Sequence, residues 1–224
     1  MDFSSWLPEA ALTLGIGIVT FAATNVDDLL VLLVFFADPG FRPGQVVLGQ
    51  FLGITALIGL SMVGFLAALA FPPAVVGLLG VLPLSLGATA WWRARMGAAE
   101  GADEDEEADE ARGAARRRAG LARPLVVASV TVANGGDNLG LYIPLFASST
   151  PVRVGVYIAT FLVMTGVWCW LSRQVMRHPV LGRVLSRWLR PALPWVLMGL
   201  GAWILWEAGS VPWVASWISA GLRG

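Results

Sequence analysis

Two adjacent carboxylates, Asp27 and Asp28, lie inside an apolar run from about residue 10 to residue 37. A run of that length can cross a bilayer, which takes roughly 20 residues. An Asp near the middle of a spanning helix costs about 2.5–3.5 kcal/mol even on the lenient insertion scale. The stretch Thr24-Asn25-Val26-Asp27-Asp28 therefore needs water, counter-charges or cations beside it. An ion or substrate pathway is the reading this favours.

The rest of the chain is built to match. Of 224 residues 57% are hydrophobic and 13% charged, against about 25% charged in a soluble domain, which makes this an integral membrane protein. All 15 basic residues are Arg. No basic patch with interleaved aromatics is present, which excludes nucleic acid as a partner. The single Cys, Cys169, rules out an internal disulfide and a Cys-based metal cage; Cys169 and Met164 read as packing residues. The start of the chain lacks the basic region of a signal peptide, so the first apolar run is kept as a mature helix.

Six spanning segments are expected, at about 10–37, 45–70, 74–92, 124–147, 154–172 and 191–209. Trp91, Trp92, Trp188 and Trp195 suit an interfacial aromatic belt. Thirteen of the Arg fall in the connections one-two (Arg42), three-four (Arg93, Arg95, Arg112, Arg116, Arg117, Arg118, Arg123) and five-six (Arg173, Arg177, Arg183, Arg187, Arg190). The positive-inside rule puts those connections in the cytoplasm and both termini outside. The lone His178 belongs to the Arg-rich connection and reads as surface, and Glu207 reads as a solvated acid near the outer interface. Residues 97–123 form a hydrophilic linker carrying eight of the 15 acids. Its plain reading is a solvated linker; the sharper one is an acidic antenna that concentrates cations.

A shift of 110 residues lays Ala23–Thr55 on Ala133–Thr165 without a gap. Nine of those 33 positions are identical, among them Asp27 on Asp137, while Asp28 falls on Asn138 and Thr24 on Asn134. The expected fold is all-α: six transmembrane helices as two inverted three-helix repeats, residues 1–96 and 124–224, joined by 97–123. Because three is odd, the halves enter the membrane in opposite senses, which brings helices one and four together near the midplane.

In segment one Thr20, Thr24, Asp27 and Asp28 share a helical face; in segment four Thr131, Asn134, Asn138 and Tyr142 do, with Asp137 beside them. These are oxygen donors in an apolar bundle. Gly135-Gly136 weakens the fourth helix just before Asp137, and Pro144 removes a further backbone bond, as in transporters that expose carbonyls at a broken helix. The bland alternative for Asn25 and Asp28 is capping at a helix start. No phosphate-cradling loop, nucleophile elbow or zinc motif is present, so the chain is not read as an enzyme and no cofactor is expected. An Asp carboxylate can hold a proton or a cation in turn, which gives proton antiport a physical route.

At Ala23-Thr24-Asn25-Val26-Asp27-Asp28-Leu29-Leu30-Val31-Leu32 and at Asn134-Gly135-Gly136-Asp137-Asn138-Leu139-Gly140-Leu141-Tyr142-Ile143-Pro144-Leu145-Phe146 the chain resembles the bacterial cadmium resistance transporter family, within the lysine-exporter superfamily. The resemblance covers essentially the whole chain. It implies a multi-pass exporter of divalent cations in the bacterial plasma membrane, with Cd2+ as the named substrate. The metal-handling residues would be Asp27, Asp28, Asp137, Asn138, Asn134, Asn25 and Thr24. Oxygen donors suit hard ions such as manganese better than they suit cadmium, so cadmium would be one passenger among several, Mn2+ and Zn2+ included. The alternative is an exporter of a small organic cation or amino acid such as lysine. The partners expected are the lipid bilayer, metal cations and protons as substrates, and a second copy in a homodimer.

Overall fold

The computed structural model describes residues 3–96, 113, 122–177 and 179–214. Most of the linker, His178 and the tail beyond Val214 lie outside those residues, and with them the antenna reading. Among the described residues the α-helices are, in order, α1 (Phe3–Thr24), α2 (Val26–Ala37), α3 (Pro43–Ala68), α4 (Pro73–Gly77), α5 (Val81–Arg95), α6 (Arg123–Asn134), α7 (Gly136–Ala147), α8 (Pro151–Arg177) and α9 (Pro179–Glu207). A 3-10 turn, Leu78–Gly80, joins α4 to α5. No strand occurs among the described residues.

Proline sets most of the starts. Pro43, Pro73, Pro151 and Pro179 are first residues of their helices and Pro124 is the second of α6, where a missing N–H costs nothing because the first turn has no acceptor for it. Among the described residues three helical stretches are long and apolar enough to cross a membrane: Pro43–Ala68, Pro73–Arg95 and Pro151–Met176. The pair Glu9–Thr24 and Val26–Ala37, bent by 58° at its break, makes a fourth. Segments four and six of the expected plan are also helical, as the α6–α7 pair and α9.

Burial is arranged for lipid. Large apolar side chains such as Leu12, Val63, Leu66, Val163, Trp170 and Trp206 face outward, while Thr20, Thr24, Asn25, Asp28, Gln50, Ser61, Thr131, Asn138, Thr165 and Ser172 are buried inside. Polar groups turn inward when the surroundings cannot hydrogen-bond to them. The helices meet closely at glycine. A Cβ placed on Gly49 would lie 2.5 Å from the Pro124 carbonyl oxygen, and one on Gly53 would lie 2.6 Å from Cβ of Thr131. This small-xxx-small pair lets α3 rest directly on α6. Gly80 and Gly201 do the same between the α4–α5 turn and α9.

The first expected helix does not run straight. Asn25 leaves the helical region (φ −116°, ψ 18°) and starts α2, and Gly135 breaks α6 from α7 in the same way (φ −78°, ψ 23°). Asn competes for backbone groups through its side chain and Gly gives the helix no side-chain support, so both are weak points. The boundaries agree to the residue under the 110-residue shift: Thr24 and Asn134 end the first helices, and Val26–Ala37 matches Gly136–Ala147. Packing is reciprocal as well: α3 lies against α6 and α7, while α8 lies against α1 and α2.

One boundary and one side-chain expectation change. The Arg-rich connection before segment six is helical, because α9 begins at Pro179 rather than near residue 191; Arg and Leu favour helix whatever the hydropathy. Glu207 is not simply solvated. It pairs with Arg153 at 3.3 Å, and Arg153 pairs with Glu9 at 2.6 Å, which ties α1, α8 and α9 together at one end of the bundle.

Candidate functional site

The site grows out of the two breaks. Because the helix restarts at Val26, Asp27 and Asp28 stand in the first turn of α2, and Asp137 stands in the first turn of α7. The positive end of a helix dipole favours carboxylates there. Asn25 occupies the cap position, yet its side chain makes no capping bond. It faces the other break.

The Asn25 amide nitrogen lies 3.1 Å from Oδ1 of Asn138, 3.0 Å from Oη of Tyr142, 2.9 Å from Oγ1 of Thr24 and 2.9 Å from the Phe21 carbonyl oxygen. Two hydrogens serve four acceptors, so the bonds are shared. The Phe21 carbonyl can only accept, which fixes the nitrogen on that side. Asn25 Oδ1 is then left fully buried with no hydrogen-bond partner among the described residues, as is Thr20 Oγ1 one turn below Thr24. A buried oxygen in that state costs about 1–3 kcal/mol unless a donor or a cation meets it.

Asp28 is held from a third helix. The Gln50 amide donates to its Oδ2 at 2.7 Å, and Gln50 Oε1 accepts from the Thr131 hydroxyl at 2.7 Å. This relay crosses from α2 through α3 to α6. The Asn25 backbone oxygen accepts from the Trp168 indole at 2.6 Å. Asp27 is half-buried and within electrostatic reach of Asp137, whose Oδ1 accepts from the Asn138 N–H at 2.8 Å.

Of the residues singled out in the sequence, Thr24, Asn25 and Asn138 are thus gathered into one cluster with Tyr142, and Asp27 is within electrostatic reach of Asp137. Asp28 belongs to the neighbouring Gln50 relay. Asn134, the last residue of α6, is half-buried and is not among the acceptors around Asn25. Among the described residues no three His, Cys, Asp or Glu side chains converge closely enough to hold a metal ion. The donors are mixed: carboxylate pairs, amide and hydroxyl oxygens.

Gln50 and Trp168 were missed by sequence reasoning. Gln50 is the one strongly polar residue in the apolar interior of α3, and that signal was available. Trp168 is one of 11 Trp, and nothing local in the sequence marks it out. Cys169 is packed in the core, and because α8 packs on α2 its thiol is within electrostatic reach of Asp28. Cys169 lines a cavity of about 330 Å³ with Val47, Gly166, Trp170, Arg173 and Gln174.

A family model described as cadmium resistance transporter matches residues 21–217. No curated protein and no solved structure matches the chain. The match spans both breaks and nearly every helix, so this chain belongs to the cadmium resistance transporter family, a family of transporters and not of enzymes. With its apolar helices it is a multi-pass membrane protein.

Proposed function

We propose that this member of the cadmium resistance transporter family exports divalent cations across the bacterial plasma membrane, in exchange for protons, through the two broken helices. The observation that carries the reading is the Asn25–Asn138 hydrogen bond at 3.1 Å. It joins two residues 113 positions apart, one from each acidic motif, into one polar centre inside an apolar bundle. The orphaned Asn25 Oδ1 gives that centre an unmet demand for a positive partner. Asp27, Asp28 and Asp137 supply the charge, while Thr24, Asn25, Asn134 and Asn138 supply neutral oxygens. Such a site holds a cation loosely enough to release it.

The matching helix boundaries and the reciprocal packing support two repeats of opposite sense, residues 1–96 and 124–224, with six spans and the linker 97–123 in the cytoplasm. Their symmetry gives the centre a natural way to open to either side in turn. The Cys169 cavity, at the end of α8 that carries Arg173, is a fitting approach to Asp28 from the cytoplasmic side. Protons enter because a carboxylate that releases its cation into one compartment can return protonated.

The test is flux of Cd2+, Mn2+, Zn2+ and lysine in proteoliposomes under an imposed pH gradient, wild type against Asp137→Asn. Metal flux that follows the gradient and vanishes in the mutant is the expected result. Lysine flux without metal flux would transfer the same residues to an organic-cation exporter. Equal metal flux in both proteins would remove the site.

A further inference from the structure

We infer that Trp168 determines which divalent cations the centre accepts, by keeping the Asn25 backbone carbonyl out of the coordination shell. The inference rests on the transport reading above.

A helix break exposes backbone oxygens, and backbone carbonyls are hard donors that suit Mg2+, Ca2+ and Mn2+. At the first break that oxygen is occupied from outside its own helix: Trp168 Nε1 donates to Asn25 O at 2.6 Å. Asn25 is completely buried and Trp168 is 5% exposed. The indole is braced edge-on against Phe21, with centroids 5.6 Å apart and planes at 90°. The N–H therefore cannot swing aside for an ion, and its positive end repels one that approaches the same oxygen. At the second break the matching oxygen, Gly135 O, is satisfied by its own helix through Leu139 N at 3.0 Å.

The contact is not demanded by packing. The position 110 residues before Trp168 is Ile58, which fills space and donates nothing. Leu57, its neighbour, covers the second break by lying against Gly135. Each break is thus covered by the long helix of the other half, but only at the first is the break residue's carbonyl bonded by a donor of that covering helix; Gly135 O is bonded by its own helix. With both of these carbonyls engaged, neither adds a hard donor to the centre, and a hard ion gains less from it than from a site where they are free.

The experiment compares wild type with Trp168→Phe, which keeps an aromatic ring against Phe21 and removes the donor. Initial rates for Cd2+, Mn2+ and Ca2+ are measured in proteoliposomes across concentration. The expected result is a shift of about tenfold in the kcat/KM ratio toward Mn2+ and Ca2+, equivalent to about 1.4 kcal/mol, carried by KM. A second protein carries 3-benzothienylalanine at position 168, which retains the two-ring shape with sulfur in place of N–H; it should show the same shift, and it decides the matter where the Phe variant fails to insert. Loss of all three ions in parallel, or an unmoved ratio in the benzothienyl protein, would mean that Trp168 only packs. A wild type that moves no divalent cation overturns the transport reading and this inference with it. A wild type that moves Cd2+ with a ratio indifferent to both replacements overturns this inference alone.

Discussion

The Gln50 amide nitrogen donates to Oδ2 of Asp28 across 2.7 Å, so a neutral side chain of α3 fixes the direction of a buried carboxylate on α2. Gln50 can do this because its own oxygen is anchored by Thr131 on α6. The three groups form one unit that spans the interface between the halves, and polar chains of this kind couple more strongly than isolated pairs.

Gln50→Leu keeps the volume and removes both bonds. We expect a loss of about 1–3 kcal/mol in stability, because the buried Thr131 hydroxyl loses its acceptor and Asp28 loses a donor. Cation flux should fall further than stability alone explains. Thr131→Val tests the linkage: in a double-mutant cycle followed by thermal unfolding in detergent, the two losses should be non-additive. Simple additivity would mean that Gln50 and Thr131 act separately.

The glycines of α3 should divide by the face they occupy. Gly49→Ala forces a methyl group against the Pro124 carbonyl and Val127, and overpacking of this kind costs about 1–3 kcal/mol. At Gly59 nothing lies within 4 Å of an added Cβ. There Ala gains helix propensity, up to about 1 kcal/mol, with no clash. Melting temperature should therefore fall for the first substitution and stay level or rise for the second. Equal responses would argue against the close approach of α3 to α6.

Arg153 bridges Glu9 and Glu207, whose side chains are 55% and 41% exposed. Exposed pairs are worth about 0–1 kcal/mol each and are screened by salt. Arg153→Gln should accordingly lower the melting temperature slightly at low salt and not at all at high salt, with flux retained. A large loss independent of salt would show that the cluster holds the bundle end in a way the pairing does not explain.

What the sequence revealed and what it hid follow from the same physics. Asp27, Asp28 and Asp137 stood out because charge in an apolar run is expensive, and the 110-residue register was readable because polar residues recur in it. The break at Gly135 was foreshadowed by two glycines. The bend at Asn25 was not, since a helical wheel drawn through Thr20, Thr24, Asp27 and Asp28 assumes a straight axis; the 58° turn sends Asn25 toward Asn138 instead. Gln50 and Trp168 could not be assigned partners, because their bonds depend on how α3 and α8 cross the bent helix, and no local pattern encodes that. Arg183, Arg187 and Arg190 read as a connection because hydropathy reports burial in lipid, while the helix continues through them.

Binding should be visible without transport. A ligand that binds only the folded state adds RT ln(1 + [L]/Kd), about 2.7 kcal/mol at a hundredfold excess over Kd. Purified protein should therefore melt at a higher temperature in Cd2+ or Mn2+ than in metal-free buffer, and chelation should reverse the gain. Asp27→Asn and Asp137→Asn each remove one of two carboxylates within electrostatic reach of each other and should each abolish the metal-dependent shift. Their metal-free melting temperatures should not fall below wild type, since each change relieves like-charge repulsion across the two breaks. Gln50→Leu should behave differently: lower in stability without metal, yet still shifted by it, because Asp27 and Asp137 remain. A metal-dependent shift of wild-type size in Asp27→Asn or Asp137→Asn would place the ion elsewhere on the protein, and the two broken helices would then be a packing device rather than the cation centre.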